Sequence, residues 1–205
     1  MVLADDDPRW RSDPVAQATA ACAGGAAAVQ LRAKHHPDRQ VLAWAEAIRR
    51  ETRKHGALFF VNDRCDLAWL SDADGVHLGQ DDLAPADVPA ALRERLAVGW
   101  STHEPAQLAA AATLPIDYVA YGPVFGTTSK DSPYEARGLA GLAHAAATAS
   151  PRPLVAIGGI DSGNIGEVAA AGARFAAVIS AVAGAADPLA ETRALVRAFE
   201  EGRPR

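Results

Sequence analysis

The chain has 205 residues, 49% of them hydrophobic, and a formal net charge of −5. This length predicts one domain with a sizeable core, and the scattered Lys and Arg residues argue against a nucleic-acid partner. No apolar run approaches the roughly 18 residues of a membrane span, and the first seven residues do not resemble a secretory signal. Cys22 and Cys65 share no metal-ligand spacing, so we expect reduced thiols and a cytoplasmic protein.

Short apolar runs alternate with helical patterns along the chain. The predicted strands cover residues 2–4, 28–31, 58–61, 75–78, 97–100, 118–120, 154–157 and 176–179. Strands separated by helices pair in parallel through right-handed crossovers. Eight such units favour an α/β fold, a closed (β/α)8 barrel forming a single domain over residues 1–205. An open, doubly wound sheet is the alternative, and the first strand is the weakest prediction.

Helix boundaries are legible at both ends of the chain. Asp13 and Asp187 each precede a proline, which predicts a capping carboxylate followed by the first helical turn. The pair Gly24-Gly25 predicts the end of the first helix.

Ligands of parallel α/β folds bind at the C-terminal ends of the strands, so the residues just past each apolar run are the candidate site. After the second strand, Gln30, Arg32 and Lys34 occupy alternate positions and are expected on one face, at the inner mouth of the barrel. Arg and Lys together suit a polyanion. The alternative is a charged strand end that dissolves into a solvated loop.

Two carboxylates follow the next strands. Asp63, after Asn62, and Asp82 are expected at adjoining positions on the rim. Without an obvious basic partner, such a pair suits Mg2+, which takes one or two carboxylates and leaves its other positions to water and phosphate. The alternatives are that Asn62-Asp63 caps a helix and that Asp82 belongs to a glycine turn.

The fifth strand ends in Ser101, Thr102 and His103. Ser101 is a candidate donor to a ligand, whereas Thr102 is equally suited to capping the next helix. His103 is expected in the first helical turn, with no assigned role.

Three later strand ends suggest phosphate binding. After the sixth strand, the segment 121–131 brings hydroxyls and an ammonium together in Thr127, Thr128, Ser129 and Lys130. After the seventh and eighth come Gly158-Gly159 and Ser180, where backbone N–H groups can approach an anion. The alternatives are an ordinary polar loop and glycines that only tighten a turn.

Taken together, these segments resemble the thiamine-phosphate synthase family. The resemblance rests on seven pieces in family order: residues 30–34, 62–64, 74–82, 101–103, 122–130, 157–160 and 178–180. It implies a TIM barrel that joins 4-amino-2-methyl-5-pyrimidinylmethyl diphosphate to 4-methyl-5-(2-phosphoethyl)thiazole, or its carboxylated form, giving thiamine phosphate and pyrophosphate.

The resemblance also implies residue roles. The residues implied to contact the pyrimidine diphosphate are Gln30, Arg32, Lys34, Asn62, Ser101 and Lys130, of which Arg32, Lys34, Ser101 and Lys130 would also serve catalysis. The thiazole phosphate would be held by Thr127, Thr128 and Ser129 and by the backbone of Gly158, Ile179 and Ser180. Asp63 and Asp82 would hold Mg2+ as cofactor.

We expect two small phosphorylated substrates as partners, no nucleic acid and no membrane, while self-association into a homo-oligomer stays open. The rival functions are a thiazole tautomerase of the same superfamily and a non-catalytic barrel that binds a phosphorylated ligand. The run Asp5-Asp6-Asp7 matches the usual first strand and loop of the family poorly, and it has no assigned role.

Overall fold

The computed structural model describes residues 1–127 and 134–204. Its eight strands form one parallel sheet in which neighbours along the chain are neighbours in space. They are β1 (Val2–Asp5), β2 (Ala28–Arg32), β3 (Leu58–Asn62), β4 (Gly75–Leu78), β5 (Ala97–Thr102), β6 (Tyr118–Tyr121), β7 (Leu154–Ile157) and β8 (Phe175–Ala177). Every predicted strand is present, the first included, and the bounds differ from expectation by at most two residues.

Helices follow the strands on the outside of the sheet. They are α1 (Pro14–Ala23), α2 (Asp38–His55), α3 (Cys65–Leu70), α4 (Ala90–Arg93), α5 (Pro105–Ala111), α6 (Gly138–Ala149), α7 (Ile165–Ala170), α8 (Ser180–Ala183) and α9 (Pro188–Glu201), with a short 3-10 turn at Pro85–Asp87. Across residues 1–127 and 134–204, none of the helices combines the length and the apolar character needed to cross a membrane.

The sheet closes on itself between its first and last strands. Val2 forms a parallel bridge to Val178, just past β8. The Leu3 amide donates to the Val178 carbonyl at 2.9 Å, and the Val178 amide donates to the Met1 carbonyl at 3.1 Å. An open, doubly wound sheet has no such contact, so the prediction of a single-domain (β/α)8 barrel is confirmed.

Side chains alternate between two apolar layers, as the period of a strand requires. One layer fills the barrel and includes Leu3, Phe60 and Val155. The other lies between the strands and the helices and includes Leu31 and Phe59. The even-numbered residues of β2 therefore face the interior, and this parity directs Gln30 and Arg32 towards the mouth of the barrel.

The predicted helix boundaries are also confirmed. The Asp13 carboxylate accepts from the Ala16 amide at 2.8 Å at the start of α1, and Asp187 accepts from the Ala190 amide at 3.0 Å at the start of α9. Helix α1 ends at Gly24, as expected.

A glycine in β5 makes room for the largest ring inside the barrel. A Cβ at Gly99 would lie 2.0 Å from Cζ of Tyr118, which is far inside van der Waals contact. Tyr118 is buried, and its hydroxyl lies 2.9 Å from Nδ1 of His77. Gly99 thus permits the packing that fixes His77 beneath the mouth.

We expect Gly99→Ala to lower the free energy of unfolding by about 1–3 kcal/mol, the usual cost of overpacking a core. Urea denaturation measures the change. Gly126→Ala is the matched control, because a Cβ at Gly126 meets no atom of the described residues within 4 Å. Equal stability of the two variants would show that Tyr118 moves aside without cost.

Candidate functional site

A cavity opens at the C-terminal ends of the strands. It encloses about 810 Å³, including the space open to solvent. Six of the predicted site residues line it: Gln30, Ser101, Thr127, Gly158, Ile179 and Ser180. The interior residues of the barrel form its floor, so the cavity is placed where the sequence predicts a ligand.

Gln30 presents an acceptor to this cavity. Its side chain is buried, and Nε2 lies 3.8 Å from the sulfur of Met1. Its Oε1 is buried and finds no hydrogen-bond partner among residues 1–127 and 134–204. Leaving a buried acceptor unpaired is costly, so a ligand with an N–H or O–H donor would gain by binding there.

A hydrogen-bonded chain orients Ser101. Nε2 of His77 lies 2.8 Å from the Ser101 hydroxyl, and Nδ1 lies 2.9 Å from the Tyr118 hydroxyl. Burial raises the pKa of Tyr118, which keeps this phenol protonated. Gln80 donates from Nε2 to the Ser101 carbonyl at 2.6 Å.

His77 was missed as a site residue, because a lone histidine within an apolar strand carries no sequence signal. Only its inward parity in β4, opposite Gly99 in the register, could have drawn attention to it.

The loops after β6 and β7 are fastened to each other at the mouth. The Val124 amide donates to the Ile157 carbonyl at 2.9 Å, and the Phe125 amide donates to the Gly158 carbonyl at 3.0 Å. Gly158 has φ 103°, and a Cβ there would lie 2.5 Å from Cα of Pro123. The position therefore requires glycine for both its backbone conformation and its close approach to the neighbouring loop.

A charged rim lies beside the cavity on the β2–β4 side. It consists of Arg32, Lys34, Asn62, Asp63 and Asp82, which do not contribute to the cavity lining. Nη1 of Arg32 lies 2.5 Å from Oδ2 of Asp5, and Nζ of Lys34 lies 2.5 Å from Oδ2 of Asp63. The expectation that the rim carboxylates lack a basic partner is therefore wrong for Asp63.

Asp63 adopts a backbone conformation that is uncommon for a residue other than glycine. Its φ is 65°, and helix α3 is capped instead by Arg64, with no side-chain cap bond. The capping interpretation of Asn62-Asp63 is thus wrong. Strained positions of this kind persist where the surroundings enforce them, and they are frequent at functional sites.

Asp63 and Asp82 are brought together, as the order of the strands predicts. Burial and the neighbouring Asp82 carboxyl raise the pKa of Asp63, although Lys34 acts in the opposite direction. Asp82 Oδ2 accepts from the Gly79 amide at 2.7 Å, so the glycine-turn interpretation of Asp82 holds alongside a role on the rim. Two adjacent carboxylates form a donor set that favours a cation.

Asp6, the first residue after β1, holds the segment that carries Lys34. Asp6 accepts from the backbone amides of Lys34 and His35 at 2.8 and 2.9 Å, and its Oδ2 lies 2.9 Å from Nδ1 of His36. Burial alone would raise the pKa of Asp6, but these hydrogen bonds outweigh it and lower the pKa. Asp6 therefore has a structural role, although the run Asp5-Asp6-Asp7 matches the family pattern poorly.

Two expectations about the end of β5 are wrong. The Thr102 hydroxyl donates to the Ala120 carbonyl at 2.8 Å and does not cap α5. His103 precedes the helix instead of lying in its first turn. Its Nδ1 is 2.6 Å from the Gly122 carbonyl, and its ring stacks on Tyr134 with 4.2 Å between centroids.

Three of the predicted site residues, Thr128, Ser129 and Lys130, lie outside the described residues.

Comparison with known proteins identifies the family. The model of the family described as thiamine monophosphate synthase matches residues 1–182. This chain belongs to that family. The thiamine-phosphate synthase of Anaeromyxobacter dehalogenans is 50% identical over 194 residues, covering 94% of this chain and 86% of that protein. The thiamine-phosphate synthase of Myxococcus xanthus is 44% identical over 202 residues, covering 98% and 92%.

A solved structure of the family superposes closely. The thiamine phosphate pyrophosphorylase of Pyrococcus furiosus matches with a TM-score of 0.87 and 35% sequence identity, covering 98% of this chain and 95% of that one. Family membership therefore agrees with the barrel fold.

We expect Asp6→Asn to lower the free energy of unfolding by about 1.5–3 kcal/mol at pH 7, since it weakens hydrogen bonds to a charged acceptor. Because folding lowers the pKa of Asp6 from its ordinary 3.8, the contribution is complete above pH 3.8. It is lost as the pH falls through the lowered value, so wild type and variant should converge in acid.

Urea denaturation at pH 7, 5 and 3 measures this difference. Asp81→Asn is the control, since Asp81 is exposed and surface carboxylates contribute little. A difference between wild type and Asp6→Asn that stayed constant at every pH would contradict an electrostatic origin.

Proposed function

We propose that the chain catalyses the condensation of 4-amino-2-methyl-5-pyrimidinylmethyl diphosphate with 4-methyl-5-(2-phosphoethyl)thiazole, or its carboxylated form, to give thiamine phosphate and pyrophosphate. The observation that carries the proposal is the placement of a cavity and a charged rim side by side at one end of the barrel. A reaction that joins two ring systems while releasing a polyanion needs both.

The pyrimidine diphosphate would span the two regions. Gln30 and Ser101 both line the cavity, where the Gln30 acceptor suits the amino group of the pyrimidine and Ser101 offers a hydroxyl. Arg32 at the end of β2 and Lys34 just after it are cations on the adjoining rim, and they suit the diphosphate. Family resemblance adds Asn62 and Lys130 to the same substrate.

The thiazole phosphate would bind on the side of the cavity formed by the ends of β6, β7 and β8. Thr127, Gly158, Ile179 and Ser180 line that side, and backbone N–H groups near a glycine suit phosphate oxygens. Thr128 and Ser129 are assigned to this phosphate by family resemblance alone.

Asp63 and Asp82 fit a magnesium site. They are adjacent, and their mutual repulsion helps raise the pKa of Asp63. Among residues 1–127 and 134–204, no set of three or more His, Cys, Asp or Glu side chains is placed to hold a metal ion. Two carboxylates nevertheless suffice for Mg2+ when phosphate oxygens and water complete its shell. Bound there, Mg2+ would neutralise charge on the diphosphate.

Family resemblance implies a dissociative course. The bond between the pyrimidinylmethyl carbon and the diphosphate oxygen breaks, and both electrons leave with pyrophosphate. Arg32, Lys34 and Lys130 stabilise the charge that develops on the leaving group. The thiazole nitrogen then donates its lone pair to the remaining carbocation and forms the new C–N bond, so no protein nucleophile is needed. Cytoplasmic location stays a prediction from the sequence, and homo-oligomer formation stays open.

The proposal predicts that purified protein releases pyrophosphate only when both substrates and Mg2+ are present. A pyrophosphatase-coupled phosphate assay measures the release, and reactions that omit each component are the controls. Absence of pyrophosphate release would overturn the proposal. Isomerisation of a thiazole phosphate in its place would indicate a tautomerase, and binding without turnover would indicate a ligand-binding barrel.

We expect Asp63→Asn and Asp82→Asn each to lower kcat/KM by about 10- to 100-fold and to raise the Mg2+ concentration needed for half-maximal rate. Asparagine is preferred to alanine because it tolerates the positive φ of Asp63. Asp81→Asn, at an exposed neighbouring carboxylate, should behave as wild type. Near-normal rates at low Mg2+ in either variant would show that these carboxylates do not hold the metal.

A further inference from the structure

Asp5 ends β1 and Asp6 follows it, and their side chains point in different directions. Asp5 shares the inward parity of Leu3, whereas the following residue, Asp6, points to the segment between β2 and α2. Both side chains are almost completely buried, with 1% and 0% exposure. Two buried carboxylates at a strand end need compensating partners, and those partners lie on β2 and just after it.

Asp5 is held in place independently of Arg32. Its Oδ1 accepts from Nε1 of Trp10 at 2.9 Å and from the Asp7 amide at 3.0 Å. Gln17 clamps its backbone, since the Asp5 amide donates to Oε1 and Nε2 donates to the Asp5 carbonyl. Oδ2 therefore presents a fixed acceptor to Nη1 of Arg32, 2.5 Å away.

The contact leaves Arg32 able to serve a ligand. A guanidinium has five N–H donors in a planar fork, and the bond to Asp5 uses one of its terminal nitrogens. The side chain of Arg32 is 15% exposed, so it is anchored at the mouth of the barrel without being sealed off. An anchored fork loses less conformational entropy when it binds an anion than a freely rotating one does.

Asp6 acts on the backbone instead of a side chain. Its two oxygens bind the consecutive amides of Lys34 and His35, and Oδ2 also contacts His36. This carboxylate sets the direction in which the chain leaves β2, and hence the position of the Lys34 side chain near Asp63.

We propose that Asp5 and Asp6 are positioning residues for the diphosphate: Asp5 orients the Arg32 guanidinium, and Asp6 fixes the backbone that carries Lys34. This inference rests on the proposed function, because it takes the diphosphate as the ligand of both cations. Neither aspartate contacts the substrate in this account. Each acts by holding a cation in the geometry that the leaving group requires.

An opposing effect makes the proposal testable. The negative charge of Asp5 also repels the diphosphate and partly neutralises Arg32. If that repulsion dominated, removing the charge would improve anion binding. If positioning dominates, removing it weakens anion binding, and the loss depends on the presence of Arg32.

A double-mutant cycle over Asp5→Asn and Arg32→Gln separates these effects. The readouts are the Kd of inorganic pyrophosphate with Mg2+, measured by calorimetry, and the KM values of both substrates. We expect Asp5→Asn alone to weaken pyrophosphate binding by about tenfold, the loss of one hydrogen bond to a charged group. The same change in the Arg32→Gln background should have little further effect, and KM for the thiazole phosphate should stay within about twofold of wild type in every variant.

Asp6→Asn is the second, independent variant. It should also raise KM for the pyrimidine diphosphate more than KM for the thiazole phosphate. Asp7→Asn is the matched control, because the side chain of this third aspartate pairs with Arg9. It should leave both constants unchanged.

The outcomes distinguish this inference from the proposed function. Tighter pyrophosphate binding in Asp5→Asn, or equal losses with and without Arg32, would overturn the positioning role of Asp5. Should Asp5→Asn fail to fold, an Asp6→Asn variant with wild-type KM values would overturn the inference by itself. A wild type that binds pyrophosphate but makes no thiamine phosphate would instead contradict the proposed function.

Discussion

Closure of the sheet between β1 and β8 is the constraint on which the site depends. The bonds from Leu3 to Val178 and from Val178 to Met1 join the first strand to the last, so all eight C-terminal strand ends meet on one rim. Residues that are far apart in the chain, such as Gln30 and Ser180, then line one cavity. Within each strand, the period of two decides which side chains enter that cavity and which pack against helices.

The C-terminal end of the barrel has two chemically different regions, the cavity and the charged rim beside it. The cavity is largely apolar, Gln30 and Ser101 are among the residues that line it, and it suits ring systems. The neighbouring rim holds cations in direct contact with carboxylates, as in Arg32 with Asp5 and Lys34 with Asp63. This arrangement holds the two cations in place, and their aspartate partners offset the repulsion between them.

The sequence predicts the barrel and the location of the site because both depend on local, periodic signals. Apolar runs mark the strands, and polar residues at their ends mark the rim. Partnerships between side chains carry no such signal. The pairing of Lys34 with Asp63 joins residues on different strands, and the contacts of His77 depend on the space that Gly99 leaves for Tyr118. The capping prediction for Asn62-Asp63 is wrong because tertiary contacts enforce a positive φ at Asp63.

The central claim is that one site at this rim releases pyrophosphate and directs the resulting carbocation to the thiazole. The most direct measurement is the molar ratio of thiamine phosphate to pyrophosphate formed in a single reaction, by mass spectrometry and a pyrophosphate assay. The account predicts a ratio of about one, because the adjoining cavity positions the thiazole for capture. Pyrophosphate in clear excess, accompanied by the hydroxymethyl pyrimidine formed with water, would contradict it.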